Sequence, residues 1–357
     1  MATALLSAAV LAGTAGGAAA TVEATCRPTT SPCRIAPRGE DAPTARVAGA
    51  NPHRLFARRS FWNAPLPENV ELDPRSARLV RELKRQVDAY GPWINTYRYS
   101  VPIYTVPRGQ RRVRVRLDVP RPGGRTVEAL RRAFSAVPVP RRAVPAGGSD
   151  RHMVIYQPAK DRMWEFWLMR RRAKGWHARW GGYMAHVSRN PGYFTKPHRT
   201  WGATATSLPL AGGLMRIREL QSGRIPHALA LAIPETRARW YSWPAARTDG
   251  SVASWRAIPE GARFRLDPRF DTTTIKHPIA RMMARAIQKY GLVVRDRAGA
   301  VAFAAEDNTK GDGAKYGVSY WTSDGIFGGE WPNIFLDTKA FPWHRLQLVK
   351  MRLAPER

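Results

Sequence analysis

Asp150, Arg151 and His152 follow one another in Gly147-Gly148-Ser149-Asp150-Arg151-His152, where a glycine turn runs into an apolar stretch. A carboxylate, a guanidinium and an imidazole at the mouth of a strand can transfer protons or hold an anion. Downstream stands Trp164-Glu165-Phe166-Trp167, a carboxylate among aromatics, where burial would raise the pKa unless a partner compensates. Register decides whether the two segments meet. If Tyr156 pairs with Met163, His152 faces Trp167 and shares a sheet face with Glu165; a one-residue slip separates them. The bland alternative has Asp150 capping a turn, Arg151 paired with Glu165 and His152 packed in the core.

A second set is Trp176, His177, Arg179 and Trp180. Strand alternation puts Trp176 and Trp180 on one face and His177 with Arg179 on the other. Indole rings beside Arg and His suit sugar rings, although core packing accounts for the same tryptophans equally well. His227 precedes an apolar run at 228–233, and Thr236-Arg237 follows it. His186 and Asn190 fall in an expected loop. The histidine spacings give no support for a metal site, so none is expected, and the cofactor is left open.

Two reactions fit these groups. A glycosidase needs paired carboxylates, for which Asp150 and Glu165 are the candidates. A lyase on an acidic polysaccharide needs Arg to neutralise a uronate and His or Tyr to remove the adjacent proton. In either case Asp150 and Glu165 are the acid–base candidates, with His152 and His227 for proton transfer or binding. Arg151 and Arg237 would contact anions, and Trp167, Trp176, His177 and Trp180 the ligand. HExxH, the phosphate loop, GxGxxG and GxSxG are all absent, which argues against zinc proteases, nucleotide hydrolases, dinucleotide enzymes and α/β-hydrolases.

The elements that must position these residues read mostly as strands. Residues 99–106, 113–119, 152–157, 163–169, 175–183, 228–233, 262–266, 293–295 and 301–304 carry strand patterns, the last two as a hairpin. In 113–119, Val113, Val115 and Leu117 alternate with Arg112, Arg114 and Arg116, so one face is buried and the other carries three guanidinium groups. Segments 152–157, 163–169 and 175–183 form an antiparallel meander. A helix is expected after Asp73-Pro74, with Leu79, Val80, Leu83 and Val87 as its apolar stripe and Gly91-Pro92 as its stop. Shorter helices are expected over 127–136 and 214–221, and a clear late one over 278–290 closed by Gly291. Consecutive strands with few helices predict a mainly β (α+β) fold, an antiparallel, jelly-roll-like β-sandwich with peripheral helices.

Composition bounds the setting. With 44% hydrophobic residues and 13 Trp, the 357-residue chain can bury a sizeable core. Residues 1–20 read as an export signal, a short apolar run ending in Ala18-Ala19-Ala20. Residues 21–54 read as a Pro-, Ala- and Arg-rich arm, with Cys26 and Cys33 closing a local disulfide, and 55–357 as one large β-rich domain. The expectation is a secreted or cell-surface monomer without a transmembrane segment. A net charge of +31, from 58 Lys+Arg against 27 Asp+Glu, attracts polyanions. The basic residues are spread along the chain, which argues against a specific nucleic-acid module and leaves a glycan or other polyanion as partner.

Ordered motifs add to this. Gly148-Ser149-Asp150-Arg151-His152, Trp164-Glu165-Phe166, Gly212-Gly213-Leu214-Met215-Arg216, Gly223-Arg224-Ile225-Pro226-His227-Ala228-Leu229 and Pro259-Glu260-Gly261-Ala262-Arg263-Phe264-Arg265-Leu266 occur in sequence, followed by Tyr290-Gly291. The series resembles a family of secreted proteins of unassigned reaction, over residues 61–304. The resemblance implies export and directs attention to Asp150, Arg151, His152, Glu165 and His227. Two departures stand out. Pro244-Ala245-Ala246-Arg247 replaces the family's Pro-Ala-x-His, and Asp296-Arg297-Ala298-Gly299 replaces its Asp-Asn-Gly. The missing His implies a member with altered specificity or without catalysis. Together the readings give a glycan-directed protein, a glycoside hydrolase or polysaccharide lyase, with a non-catalytic glycan-binding or structural surface protein as the alternative.

Overall fold

A computed structural model describes residues 54–119, 124–316, 334–335 and 339–356, all within the unit Ala45–Arg357. The export segment 1–20 and the arm up to residue 53, with Cys26 and Cys33, lie outside the described residues. The chain runs α1 (Ser76–Tyr90), β1 (Pro92–Asn95), β2 (Ile103–Thr105), β3 (Val115–Leu117) and α2 (Arg125–Ala133). It continues with β4 (Met153–Gln157), β5 (Arg162–Trp167), β6 (Arg170–Arg172), β7 (Gly175–Ala178), β8 (Trp180–Ala185) and α3 (Ile217–Gln221). Next come β9 (Leu229–Ile233), β10 (Thr236–Ser242), β11 (Ile258–Glu260), β12 (Arg263–Leu266) and α4 (Pro278–Tyr290). The last elements are β13 (Leu292–Arg297), β14 (Val301–Ala304), β15 (Ile334–Phe335), β16 (Leu346–Leu348) and β17 (Leu353–Pro355).

The fold is mainly β, with strands in several mixed sheets and few helices. A seven-stranded sheet has the order β15-β1-β14-β9-β13-β12-β16, and a four-stranded sheet the order β2-β4-β5-β8. Side-chain alternation on the central strands shows how the layers stack. On β9, Leu229, Leu231 and Ile233 join the apolar core containing α1 and α4, while Ala230 joins the core containing β4 and β5. On β13, Leu292 and Val294 face the helix side and Val293 the other. The seven-stranded sheet is therefore the middle layer, covered by helices on one face and by the four-stranded sheet on the other. Burial on both faces explains why 228–233 and 292–294 read as continuous apolar runs.

The sandwich-like reading holds, with parallel pairs such as β1 with β14 and β2 with β4 beside the antiparallel ones. The expected hairpin of 293–295 with 301–304 does not form. β9 inserts between the two strands, parallel to β13 and antiparallel to β14, because both offer it an apolar edge. The strand expected over 175–183 breaks at Arg179, so that β7 and β8 belong to different sheets. The stripe Leu79, Val80, Leu83 and Val87 is fully on the buried side of α1, and Gly91 closes that helix at φ 68°. Asp73 sits just ahead of it, accepting from the Arg75 N–H at 2.9 Å. α4 and β14 have the expected bounds.

Candidate functional site

Two structural devices shape a groove at the edge of the two large sheets. The first is the turn before β4. Arg151 is held at φ 47°, a left-handed conformation that lets Asp150 and His152 turn inward while Arg151 points to solvent. The backbone oxygens of Asp150 and Arg151 accept from Leu168 N at 2.7 Å and Met169 N at 3.2 Å, fixing the turn against the end of β5. The second device is a bulge in β13. Val294 pairs with Leu231 and Asp296 with Ala232, so Arg295 is the extra residue. A bulge re-aims the side chains that follow it. Here Arg295 is buried, and Asp296 lines the groove, half-buried.

The groove has two adjoining lobes of about 730 and 430 Å³, which share Asp150, His152, Asp296 and Arg297. Trp93, Tyr99 and the crossover at Ala298-Gly299-Ala300 line the larger lobe. Trp167, Trp180, Arg247 and Asp249 line the smaller. Asp150 Oδ1 accepts from the Trp167 indole N–H at 3.3 Å. Asp296 Oδ1 accepts from the N–H groups of Ala205 and Arg297, each at 3.1 Å. Burial, with Asp249 and Asp150 nearby, pushes the Asp296 carboxyl up to about 7 despite Arg295. His152 is 8% exposed, and burial lowers its imidazole to about 4, against the pull of Asp150; its ring also bonds the Ala203 carbonyl.

Asp249, Glu260 and Asp296 each bring an oxygen within 4.8 Å of the others, close enough for one cation to touch all three. The protein supplies countercharge of its own there. Arg297 Nε stands 3.8 Å from Asp249 Oδ2, and the half-buried Arg247 guanidinium feels all three carboxylates. Among the described residues no other group of three or more such ligands lies this close.

No family profile, curated protein or solved structure matches the chain. The site therefore stands on its geometry.

Tyr156 pairs with Met163, the register that sets His152 opposite Trp167. Of the residues singled out from sequence, Asp150, His152, Trp167 and Trp180 converge on the smaller lobe. Glu165 does not reach it. Its fully buried carboxylate accepts from Ala203 N at 2.7 Å and Leu210 N at 2.9 Å, so it anchors the loop behind the groove and forms no ion pair with Arg151. Burial, only partly offset by those two N–H groups, raises it to about 7. His227 lies elsewhere, bonded through Nε2 to Glu219 Oε2 at 3.1 Å, because α3 brings Glu219 across from it.

The Trp176–His177 pair also separates from the groove. The break at Arg179 sends Trp176 into the core, while His177 Nδ1 meets Asp118 at 2.8 Å on a small separate sheet. Arg237 lies on β10, in another sheet, its guanidinium over Trp240. Arg151 is exposed beside the groove without lining it. Sequence reading missed Asp296, Asp249 and Arg247. Arg247 and Arg297 both stand on the wall of the smaller lobe.

Proposed function

We propose that the protein is an exported glycoside hydrolase that binds its polysaccharide in this groove. The observation that carries the reading is Asp296, a half-buried carboxyl raised to about 7, sharing both lobes with Asp150. Two carboxyl groups of unlike environment on one cleft can divide the acid and base roles. Protonated Asp296 donates to the glycosidic oxygen as the C–O bond breaks. Asp150, oriented by the Trp167 indole, takes a proton from the water that adds to the sugar carbon. Trp167 and Trp180 offer apolar faces for sugar rings. The net charge of +31 favours an acidic glycan. The lyase route gains less support, since His152 is engaged with the Ala203 carbonyl and nearly buried.

The test uses protein starting near residue 21 on a panel of neutral and acidic polysaccharides and cell-wall preparations, following reducing ends and unsaturated-uronate absorbance together. Reducing ends without absorbance are expected, and their release should fall steeply in Asp296→Asn and Asp150→Asn. Absorbance would make it a lyase. Silence on every substrate, with salt-sensitive retention on one, would make it a binding protein.

A further inference from the structure

The small sheet formed by β3, β7 and β6 carries a second feature, away from the groove. Its register aligns Arg116, His177 and Arg170 in one row across the three strands. Arg172 pairs with Gly175 in the neighbouring row, and Arg114, two residues before Arg116, shares its outward parity. The opposite face is closed, because Val115, Trp176 and Ala178 are buried in the core. Gly175 keeps the outward face low: a Cβ there would stand 3.3 Å from the Arg116 guanidinium.

One carboxylate organises these side chains. Asp118 accepts from Arg172 at 3.1 Å, Arg170 at 3.3 Å and His177 at 2.8 Å. Arg179 donates to its backbone carbonyl at 2.8 Å. Burial opposes ionisation of Asp118, but His177, Arg172 and Arg170 hold its carboxyl below the usual range. Arg114 and Arg132 complete a concavity of about 440 Å³ over this hub, both exposed, and neither makes an ion pair among the described residues. Glu128 is the other acid there, and it pairs with Arg131 at 2.6 Å. The surface is thus a preassembled array of guanidinium groups whose positive charge exceeds its acids. Such an array matches a polymer with repeated anionic groups.

We propose that this outward face is a docking site for a linear acidic polysaccharide, separate from the groove. The choice of a polysaccharide rests on the hydrolase reading and on one further observation. No large exposed hydrophobic or aromatic side chain among the described residues lies on this face, so it lacks the stacking platforms that single-stranded nucleic acid uses. Bound there, the polymer would be held near the enzyme while the groove works on part of it.

The experiment measures binding of polygalacturonate, a neutral galactan and oligo(dT) to the full chain at increasing salt. Arg114→Glu/Arg132→Glu should weaken polygalacturonate binding about tenfold or more and flatten its salt dependence. The control Arg58→Glu/Arg59→Glu makes the same charge change at exposed positions outside the concavity and should lose far less. If reversal lowers the melting temperature, Arg114→Gln/Arg132→Gln carries the same expectation with a smaller loss. Asp150→Asn/Asp296→Asn should leave retention intact, which separates this proposal from the groove chemistry. Equal losses in the control, equal affinity for oligo(dT), or no polygalacturonate binding by the unaltered chain would each overturn it.

Discussion

Glu165 and Arg295 hold the same residue from opposite sheets. Glu165 Oε2 on β5 accepts from the Leu210 N–H at 2.9 Å, and Arg295 Nη1 on β13 donates to the Leu210 carbonyl at 2.7 Å. Arg295 also reaches the Gly212 carbonyl at 2.9 Å, and Glu165 the Ala203 N–H at 2.7 Å. The loop between the sheets is thus fixed by one buried carboxyl group and one buried guanidinium acting through its backbone. The bulge that exposes Asp296 to the groove is the one that supplies this cation.

Glu165→Gln should lower stability by about 1–3 kcal/mol, because an amide cannot accept from both N–H groups and turns a donor toward one of them. Urea unfolding measures this. Below its melting temperature the variant should keep most activity, since Glu165 does not touch the groove.

Asp296→Asn should reduce hydrolysis by about 10²–10⁴-fold. In the unaltered chain, activity should fall as pH rises through about 7, where the raised Asp296 carboxyl loses its proton. A pH–rate profile of residual activity in the variant should lack that alkaline limb.

The same carboxyl bears on stability. A raised folded pKa contributes stability that is complete below the unfolded value of 3.8 and is lost as pH rises through about 7. Asp296→Asn should therefore gain stability relative to the parent between pH 5 and 8, on the order of 1–2 kcal/mol after allowance for solvent screening. His152 acts in the opposite sense. Its lowered pKa withdraws stability as pH falls from 6.5 through about 4, so His152→Gln should flatten the acid side of the curve. Melting temperatures across pH check both signs.

Glu219→Gln should cost about 3–5 kcal/mol near pH 5, where it would leave a buried imidazolium without its partner. Burial opposes the charge on His227, but Glu219 outweighs it and raises its pKa. The penalty should shrink as pH rises through that raised value and His227 becomes neutral. Denaturation at several pH values would reveal it.

How much of this was legible in the sequence depends on the range of the contacts. The stripe Leu79, Val80, Leu83 and Val87 and the Pro278–Tyr290 helix were readable because their signals are local and periodic. The pairing of 152–157 with 163–169 was readable from the short link between them, but the Tyr156–Met163 register was left open until the structure fixed it. Asp296 was not. Its placement needs a bulge against β9, a strand more than sixty positions earlier, and no local pattern announces a bulge. Glu165 misled for a related reason: a carboxylate among aromatics can serve a ligand or a distant backbone, and only the path of the 203–212 loop decides between them. The pairing of Trp176 with Trp180 failed on the single break at Arg179.

The insertion of β9 between β13 and β14 has a kinetic consequence. The middle of the large sheet cannot nucleate as a local turn, because its central strand must wait for partners made much later in the chain. Entropy of loop closure then delays this pairing, and chains dominated by such distant pairings fold slowly. The groove walls come from Trp93, Asp150, Trp180, Asp249 and Asp296, so they assemble only when that late step is complete. Ligand capture during refolding should therefore appear with the slowest phase, which makes it a clock for the last event in folding.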